Sequence, residues 1–216
     1  MFSLKSFYDQ YQTQTTELTV AGRKYQILLP RNLEPFIDSD DVLVNFPLWA
    51  KLWKASWIMA DFLARKQVNP QERLLEIGGG LGLVSIVGCT CGHRMTMTEY
   101  NPHALQFARA NAHLNNCARL PIIRLDWNHP NLEESFDAIL ASEVIYRPQD
   151  FAPLLNLFQS CLAPSGEIFL ASEMRKTSGE FYQYFESKFD ISAIKKMLRS
   201  EDEETMVTLI KLRPKP

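Results

Sequence analysis

The stretch Leu74-Leu75-Glu76-Ile77-Gly78-Gly79-Gly80-Leu81-Gly82 decides the fold. Residues 73–77 have the length and apolar content of a buried strand, and residues 82–91 read as a helix. Between them, glycines at 78, 80 and 82 allow positive φ and remove the Cβ atoms that would hold a ligand away from the backbone. Strand, tight turn and helix in that order put a binding site at the carboxyl end of a parallel strand. Two phosphate-binding patterns fail on inspection. The dinucleotide fingerprint GxGxxG lacks its last glycine, since Leu83 and Ser85 stand there, and no GK[ST] follows for a P-loop.

Working outward, strands and helices alternate. Strand-like runs at 94–98, 122–125, 136–142 and 167–172 are separated by helical runs at 102–114 and 150–162. Such alternation builds βαβ units around a mostly parallel sheet. Asp150 is placed to cap its helix, and Pro164-Ser165-Gly166 to turn the chain into the next strand. A helix over 181–188 follows. Residues 190–197 and 205–212 then read as two long strands joined by a polar turn over 199–204, which makes them antiparallel. Before the glycine turn, apolar residues from Leu48 to Leu63 fall near helical spacing, so an amphipathic helix is expected over 48–64. Upstream, 15–20 and 23–29 alternate around Ala21-Gly22 as a β-hairpin, and a proline-punctuated loop carries Asp38, Asp40 and Asp41 as a solvated acidic face.

The fold expected is therefore α/β: a Rossmann-like, mostly parallel seven-stranded sheet with helices on both faces, an antiparallel last strand and a small N-terminal hairpin. Residues 1–45 form the extension and 46–216 the main domain. Phe2, Phe7, Tyr8 and Tyr11 of the extension are read as packing residues, with a substrate lid as the alternative.

Composition narrows the function. The chain has 216 residues, 46% hydrophobic and 22% charged, with a net charge of −2. Its cations form no stripe, so a nucleic-acid partner is not expected. No apolar run approaches the ~20 residues needed to span a bilayer, and residues 1–18 build no signal-peptide core. A cytoplasmic protein without membrane contact is expected, as a monomer. Cys89, Cys91, Cys117 and Cys161 form no CxxC pair. Cys89 and Cys91 with His93 suit helix packing better than a metal site, so no metal is called.

Three strand ends carry carboxylates. Glu76 ends the first strand of the domain, where it would repel a pyrophosphate and attract a ligand's amino group; the alternative is that it caps the glycine turn. Glu99 ends the second, 21 residues beyond Gly78, where an acidic side chain accepts hydrogen bonds from ribose hydroxyls. Leu125-Asp126-Trp127 ends the third, where Asp126 can accept from an adenine amino group and Trp127 can contact the ring; the alternative is that Trp127 is a core residue. Together they outline a nucleoside pocket.

The run Glu-x-Gly-x-Gly-x-Gly, with Glu99 and Asp126 behind it, resembles the Rossmann-like, seven-stranded S-adenosylmethionine methyltransferases. Within that class, Pro47-Leu48-Trp49-Ala50-Lys51-Leu52-Trp53, Leu125-Asp126-Trp127 and Ser142-Glu143-Val144-Ile145-Tyr146 resemble the lysine methyltransferase family that includes the electron-transfer-flavoprotein β-subunit enzyme. The resemblance spans roughly residues 46–172. It implies S-adenosyl-L-methionine as cofactor, held by Trp53, Glu76, Gly78, Gly80, Gly82, Glu99, Asp126, Trp127 and Ser142. Glu143 and Tyr146 would line the acceptor channel as the catalytic pair. The chain departs from the family at Glu143, where aspartate is usual, and at Lys54-Ala55-Ser56, often Pro- or Gly-rich. The activity implied is N-methylation of a lysine side chain of a protein. The alternatives are a small-molecule amine as acceptor, or a catalytically silent cofactor-binding scaffold.

Overall fold

The computed structural model describes residues 2–37, 46–173, 177–199 and 204–215. A short helix α1 (Leu4–Gln10) leads into an antiparallel hairpin of β1 (Thr13–Val20) and β2 (Arg23–Pro30). The main domain then runs α2 (Lys54–Arg65), β3 (Arg73–Ile77), α3 (Leu83–Cys91), β4 (Arg94–Glu99), α4 (Pro102–Leu114) and β5 (Ile122–Arg124). It continues through β6 (Phe136–Ser142), α5 (Phe151–Cys161), β7 (Leu162–Glu173), α6 (Thr177–Phe185), β8 (Phe189–Arg199) and β9 (Glu204–Pro214).

Strands β3 to β9 form one seven-stranded sheet in the order β5-β4-β3-β6-β7-β9-β8. Pairs within β5 to β7 are parallel, while β9 runs antiparallel to both β7 and β8. The sheet is buried on both faces, and successive side chains of each central strand go to opposite cores. Leu74, Ala138, Leu140, Phe169 and Ala171 face one core with α2, α3 and α4. Leu75, Ile77, Ile139, Ala141, Ile168 and Leu170 face the other with α5 and α6. This two-sided burial explains why the central strands read as continuous apolar runs. Each fully buried Leu or Ile there contributes about 1.5–3 kcal/mol.

The chain travels outward from β3 to β4 and β5, then returns to β6 on the other side of β3. Its direction of winding reverses beside β3, and a crevice outside the carboxyl ends of the strands opens at such a reversal.

The hairpin belongs to the first core. Val20, Tyr25, Ile27 and Leu28 are buried there with Phe7 and Tyr11 of the first segment. Phe7 and Tyr11 pack on Phe107 of α4, at centroid distances of 5.0 and 5.1 Å. Asn111 of α4, itself buried, accepts from the Leu28 amide (2.7 Å) and donates to the carbonyls of Leu28 and Leu81 (3.2 and 3.0 Å). One side chain thus ties the hairpin to the segment leaving the glycine turn. His93, set against Cys89 and Cys91 in the sequence, bonds through Nε2 to the Leu63 carbonyl at 3.0 Å.

Several expected boundaries are corrected. The helix expected over 48–64 begins only at Lys54. A 3-10 turn, Leu48–Ala50, comes first, and Lys51 and Trp53 are extended. Asp150 makes no capping hydrogen bond, because Arg147 holds its carboxylate by two contacts of 2.9 Å. Pro164-Ser165-Gly166 interrupts β7 rather than preceding it: from Phe136 to Ala138, β6 advances two residues while its partner runs from Leu162 to Glu167. The late helix is Thr177–Phe185, four residues earlier than its periodicity suggests at the start. The acidic run Asp38, Asp40 and Asp41 lies outside the described residues, as do residues 200–203 of the last turn. Among the described residues, no helix is long and apolar enough to cross a membrane.

Candidate active site

A cleft of about 470 Å³ opens over the carboxyl ends of β3, β4 and β6. That lies within the range of roughly 300–1,000 Å³ typical of small-ligand sites. Its floor is the glycine turn. Gly78, Gly80 and Gly82 have φ of +62°, +53° and +86°, conformations that L side chains rarely adopt. Two of these glycines are also in tight contact. A Cβ on Gly78 would stand 3.3 Å from both Trp127 and Val144, and one on Gly80 would stand 3.3 Å from the Trp49 carbonyl oxygen. The turn is closed by the Gly82 amide donating to the Gly79 carbonyl at 2.8 Å.

Glu99, at the end of β4, organises the next wall. One carboxylate oxygen accepts from the amides of Tyr100 (2.7 Å) and Asn101 (2.9 Å), and the other accepts from the amide of Gly80 (2.9 Å). Burial pushes its pKa up, and the three amides hold it down. A carboxylate has about four lone-pair sites, so three fixed donors orient it and leave acceptor capacity facing the cleft. Asp126 follows β5 on the same rim. Its pKa is lowered by the Asn128 backbone and side-chain amides (2.9 and 3.0 Å) and by His129.

The third wall comes from β6. Ser142 is its last residue, and Glu143 follows with φ of +53°, a left-handed backbone in a non-glycine residue. Such strain persists only where surrounding structure enforces it, and it concentrates at functional sites. The Glu143 amide donates to the Ala171 carbonyl at 2.9 Å, and the Glu143 carboxylate accepts from the Glu173 amide at 2.7 Å. Its side chain is buried, and Glu143 and Tyr146 both line the cleft.

The roof is the irregular segment ahead of α2. Trp49 lies over Gly80 and stacks edgewise on Phe36 at 5.2 Å. The Trp53 indole N–H donates to the Leu48 carbonyl at 2.9 Å, and the Lys51 Nζ stands 4.5 Å from the centre of the Trp53 ring.

Nine of the eleven residues expected from the sequence therefore meet in one cleft: Trp53, Gly78, Gly80, Glu99, Asp126, Trp127, Ser142, Glu143 and Tyr146. Gly82 stands behind it as the N-cap of α3. Glu76 is corrected. It does not line the cleft; it is turned inward and buried, bonding the backbone amide (3.0 Å) and hydroxyl of Ser85 in the first turn of α3. A glycine N-cap has no side-chain acceptor, so the carboxylate of β3 supplies it from across the turn. Burial raises the Glu76 pKa to about 7, against the lowering effect of the Ser85 bonds and with a further push from the charge of Glu99. Trp49, Leu52, Tyr100, Asn128 and Arg147 also line the cleft and were not singled out from the sequence. Of these, Trp49 and Leu52 stood inside a quoted motif.

The donor set fits an adenosyl amino acid. Trp49 Nε1 and Ser142 Oγ are buried in the cleft wall without a hydrogen-bond partner among the described residues. Buried polar groups left unpaired cost about 1–3 kcal/mol each. A ligand bearing hydroxyl, ammonium and carboxylate groups is suited to relieve them, beside a fixed carboxylate at Glu99 and a ring at Trp127.

Comparison with known proteins gives four findings. A family model described as lysine methyltransferase matches residues 45–188. EEF1A lysine methyltransferase 3 of Xenopus tropicalis is 26% identical over 167 residues, covering 74% of this chain and 73% of that protein. Human histone-arginine methyltransferase METTL23 is 30% identical over 111 residues, 48% of this chain and 58% of that protein, so this chain spans little more than half of that relative. Among solved structures, P. horikoshii TYW2 in complex with MeSAdo superposes with a TM-score of 0.62 at 16% identity, covering 95% of this chain and 73% of that one. At that identity the likeness shows the fold alone.

Proposed function

The chain belongs to the lysine methyltransferase family, and on that premise we propose that it methylates a lysine side chain of a protein. S-adenosyl-L-methionine is the cofactor, and when bound it supplies an electrophilic methyl group on a sulfonium. The observation that carries the acceptor assignment is the meeting of Glu143 and Tyr146 in the cleft that Glu99, Trp53 and the glycine turn also line.

The residues have distinct tasks. Glu99, Asp126 and Trp127 bind the nucleoside; Gly78 and Gly80 let the backbone approach; Trp49 and Ser142 take up the remaining polar groups. An unperturbed lysine has a pKa near 10.4, so its neutral form costs roughly 4 kcal/mol to reach at neutral pH. Glu143 attracts the ammonium, and desolvation beside a positive charge then favours loss of its proton. Tyr146 holds the alkyl amine by its hydroxyl or ring face, and Trp53 lies beside the cofactor. Alignment of nucleophile and leaving group supplies most of the acceleration, since an in-line displacement asks for no covalent help from the enzyme.

The remaining assignments follow the same reading. Residues 46–216 serve as the methyltransferase domain, with 1–45 as an extension folded onto it. The protein acts in the cytoplasm as a monomer, without nucleic-acid or membrane partners; its free thiols support the compartment, and its net charge of −2 supports the absence of a nucleic-acid partner. The test is incubation with methyl-labelled cofactor and cell lysate, followed by separation of protein from small molecules and acid hydrolysis of the protein. Methyl-lysine in the protein fraction is expected. Label only in small molecules would make the acceptor a metabolite amine, and methyl-arginine would move the acceptor class toward that named for METTL23. No label above the level without enzyme would leave a silent cofactor-binding scaffold.

A further inference from the structure

We infer that Lys51 is itself a methyl acceptor, modified in cis by the cleft that it lines. Its ammonium nitrogen stands 4.5 Å from the centre of the Trp53 ring, and both residues line the cleft that Glu143 and Tyr146 also line. Lys51 is exposed and lies on the extended link between the 3-10 turn and α2, so its side chain swings from a backbone free of helical constraint. Among the described residues, its charge meets a ring face and no carboxylate. An aromatic face attracts alkylated ammonium as it does the unmodified group, so the seat on Trp53 survives each methylation. This inference rests on the proposed methyl transfer.

The step balances with the cofactor alone. The ammonium first releases a proton to solvent, a loss favoured beside the sulfonium charge. The amine lone pair then forms the C–N bond as the methyl–sulfur bond breaks. The electron pair of that bond goes to sulfur, and S-adenosylhomocysteine leaves. Because the acceptor belongs to the chain that binds the donor, the step within the cofactor complex is unimolecular, and it gains the high effective concentration of tethered reactants. Lys54 is a built-in control three residues away: its Nζ donates to the Thr205 hydroxyl on β9, so it should stay unmodified.

The experiment uses the full chain, purified and incubated with S-adenosylmethionine and no other protein, then mapped by peptide mass. Expected are methyl groups on Lys51 and none on Lys54, at a rate independent of protein concentration, with the gain abolished in Lys51→Arg. A second measurement needs no turnover. S-adenosylhomocysteine, which has no methyl to give, should slow acetylation of Lys51 by an amine-reactive reagent severalfold while leaving the exposed Lys195 unaffected. If the chain binds the cofactor by calorimetry and methylates lysate protein, yet Lys51 is neither modified nor protected, the assignment is overturned and the function stands. Modification at a rate that rises with protein concentration overturns the transfer in cis. Absence of cofactor binding overturns the functional reading and this inference with it.

Discussion

Replacing Glu76 by glutamine separates a structural carboxylate from a ligand-binding one, because the two roles predict opposite responses to pH. The buried carboxyl has its pKa raised to about 7, chiefly by desolvation. Between its unfolded value and about pH 7, the folded chain therefore binds a proton that the unfolded chain has released. Stability must then fall as pH rises through that window and level off above it. The displacement corresponds to about 3 kcal/mol if the whole penalty is expressed. Glutamine cannot ionise, and its amide oxygen can still accept from the Ser85 amide and hydroxyl, while the added NH2 costs about 1–3 kcal/mol if left unpaired. The slope is thus the sound readout. In urea titrations without cofactor, at intervals from about pH 5 to 8, wild type should lose stability that Glu76→Gln retains. Parallel curves would refute the burial argument. An unchanged slope together with a tenfold or greater loss of cofactor affinity would return Glu76 to the ligand side.

Gly80→Val places a branched side chain at φ +53° with its Cβ 3.3 Å from the Trp49 carbonyl; strain of about 1–3 kcal/mol should lower the melting temperature modestly, and cofactor binding should vanish by calorimetry. Retained binding would take the turn out of the site. Glu99→Ala should weaken S-adenosylhomocysteine binding about tenfold or more, since hydrogen bonds to a charged acceptor contribute about 1.5–3 kcal/mol; an unchanged dissociation constant refutes the ribose role. Asn111→Ala should destabilise the fold by at least about 2 kcal/mol in urea, because buried backbone groups of Leu28 and Leu81 lose their partner. Glu143→Ala and Tyr146→Ala should each slow methyl transfer about a hundredfold, equivalent to about 2.7 kcal/mol, while cofactor affinity changes less than threefold. Full activity in both removes them from the acceptor site.

The alternation of strand and helix was legible because both faces of the sheet are covered, so the central strands carry unbroken apolar runs that polar turns punctuate. The glycine turn was legible for a different reason, since positive φ restricts the residue choice. Residues 48–53 were not. Their apolar spacing continues that of α2, but Trp49 and Leu52 line the cleft, and the pattern alone does not say whether an apolar residue meets a helix neighbour or a ligand. Glu76 was placed on the right strand end and turned the wrong way. Its orientation depends on Gly82, a cap residue with no side-chain acceptor, and on the Ser85 donors at the start of α3.

Glu143 is the instructive case, because its departure from the family residue now has a structural consequence. The backbone there is left-handed, a conformation in which aspartate is several-fold enriched and glutamate is not, so the aspartate usual in the family is the less strained choice. Glutamate adds a methylene, and that added reach ends on the Glu173 amide, 2.7 Å away at the end of β7. The Glu143 amide bonds the same strand through Ala171. Backbone and side chain together therefore pin the residue to β7, and this double attachment is the kind of surrounding constraint under which an unfavourable φ persists. A strained residue clamped by a neighbouring strand holds its carboxylate in one place, which is what an acceptor site needs when alignment rather than covalent chemistry sets the rate.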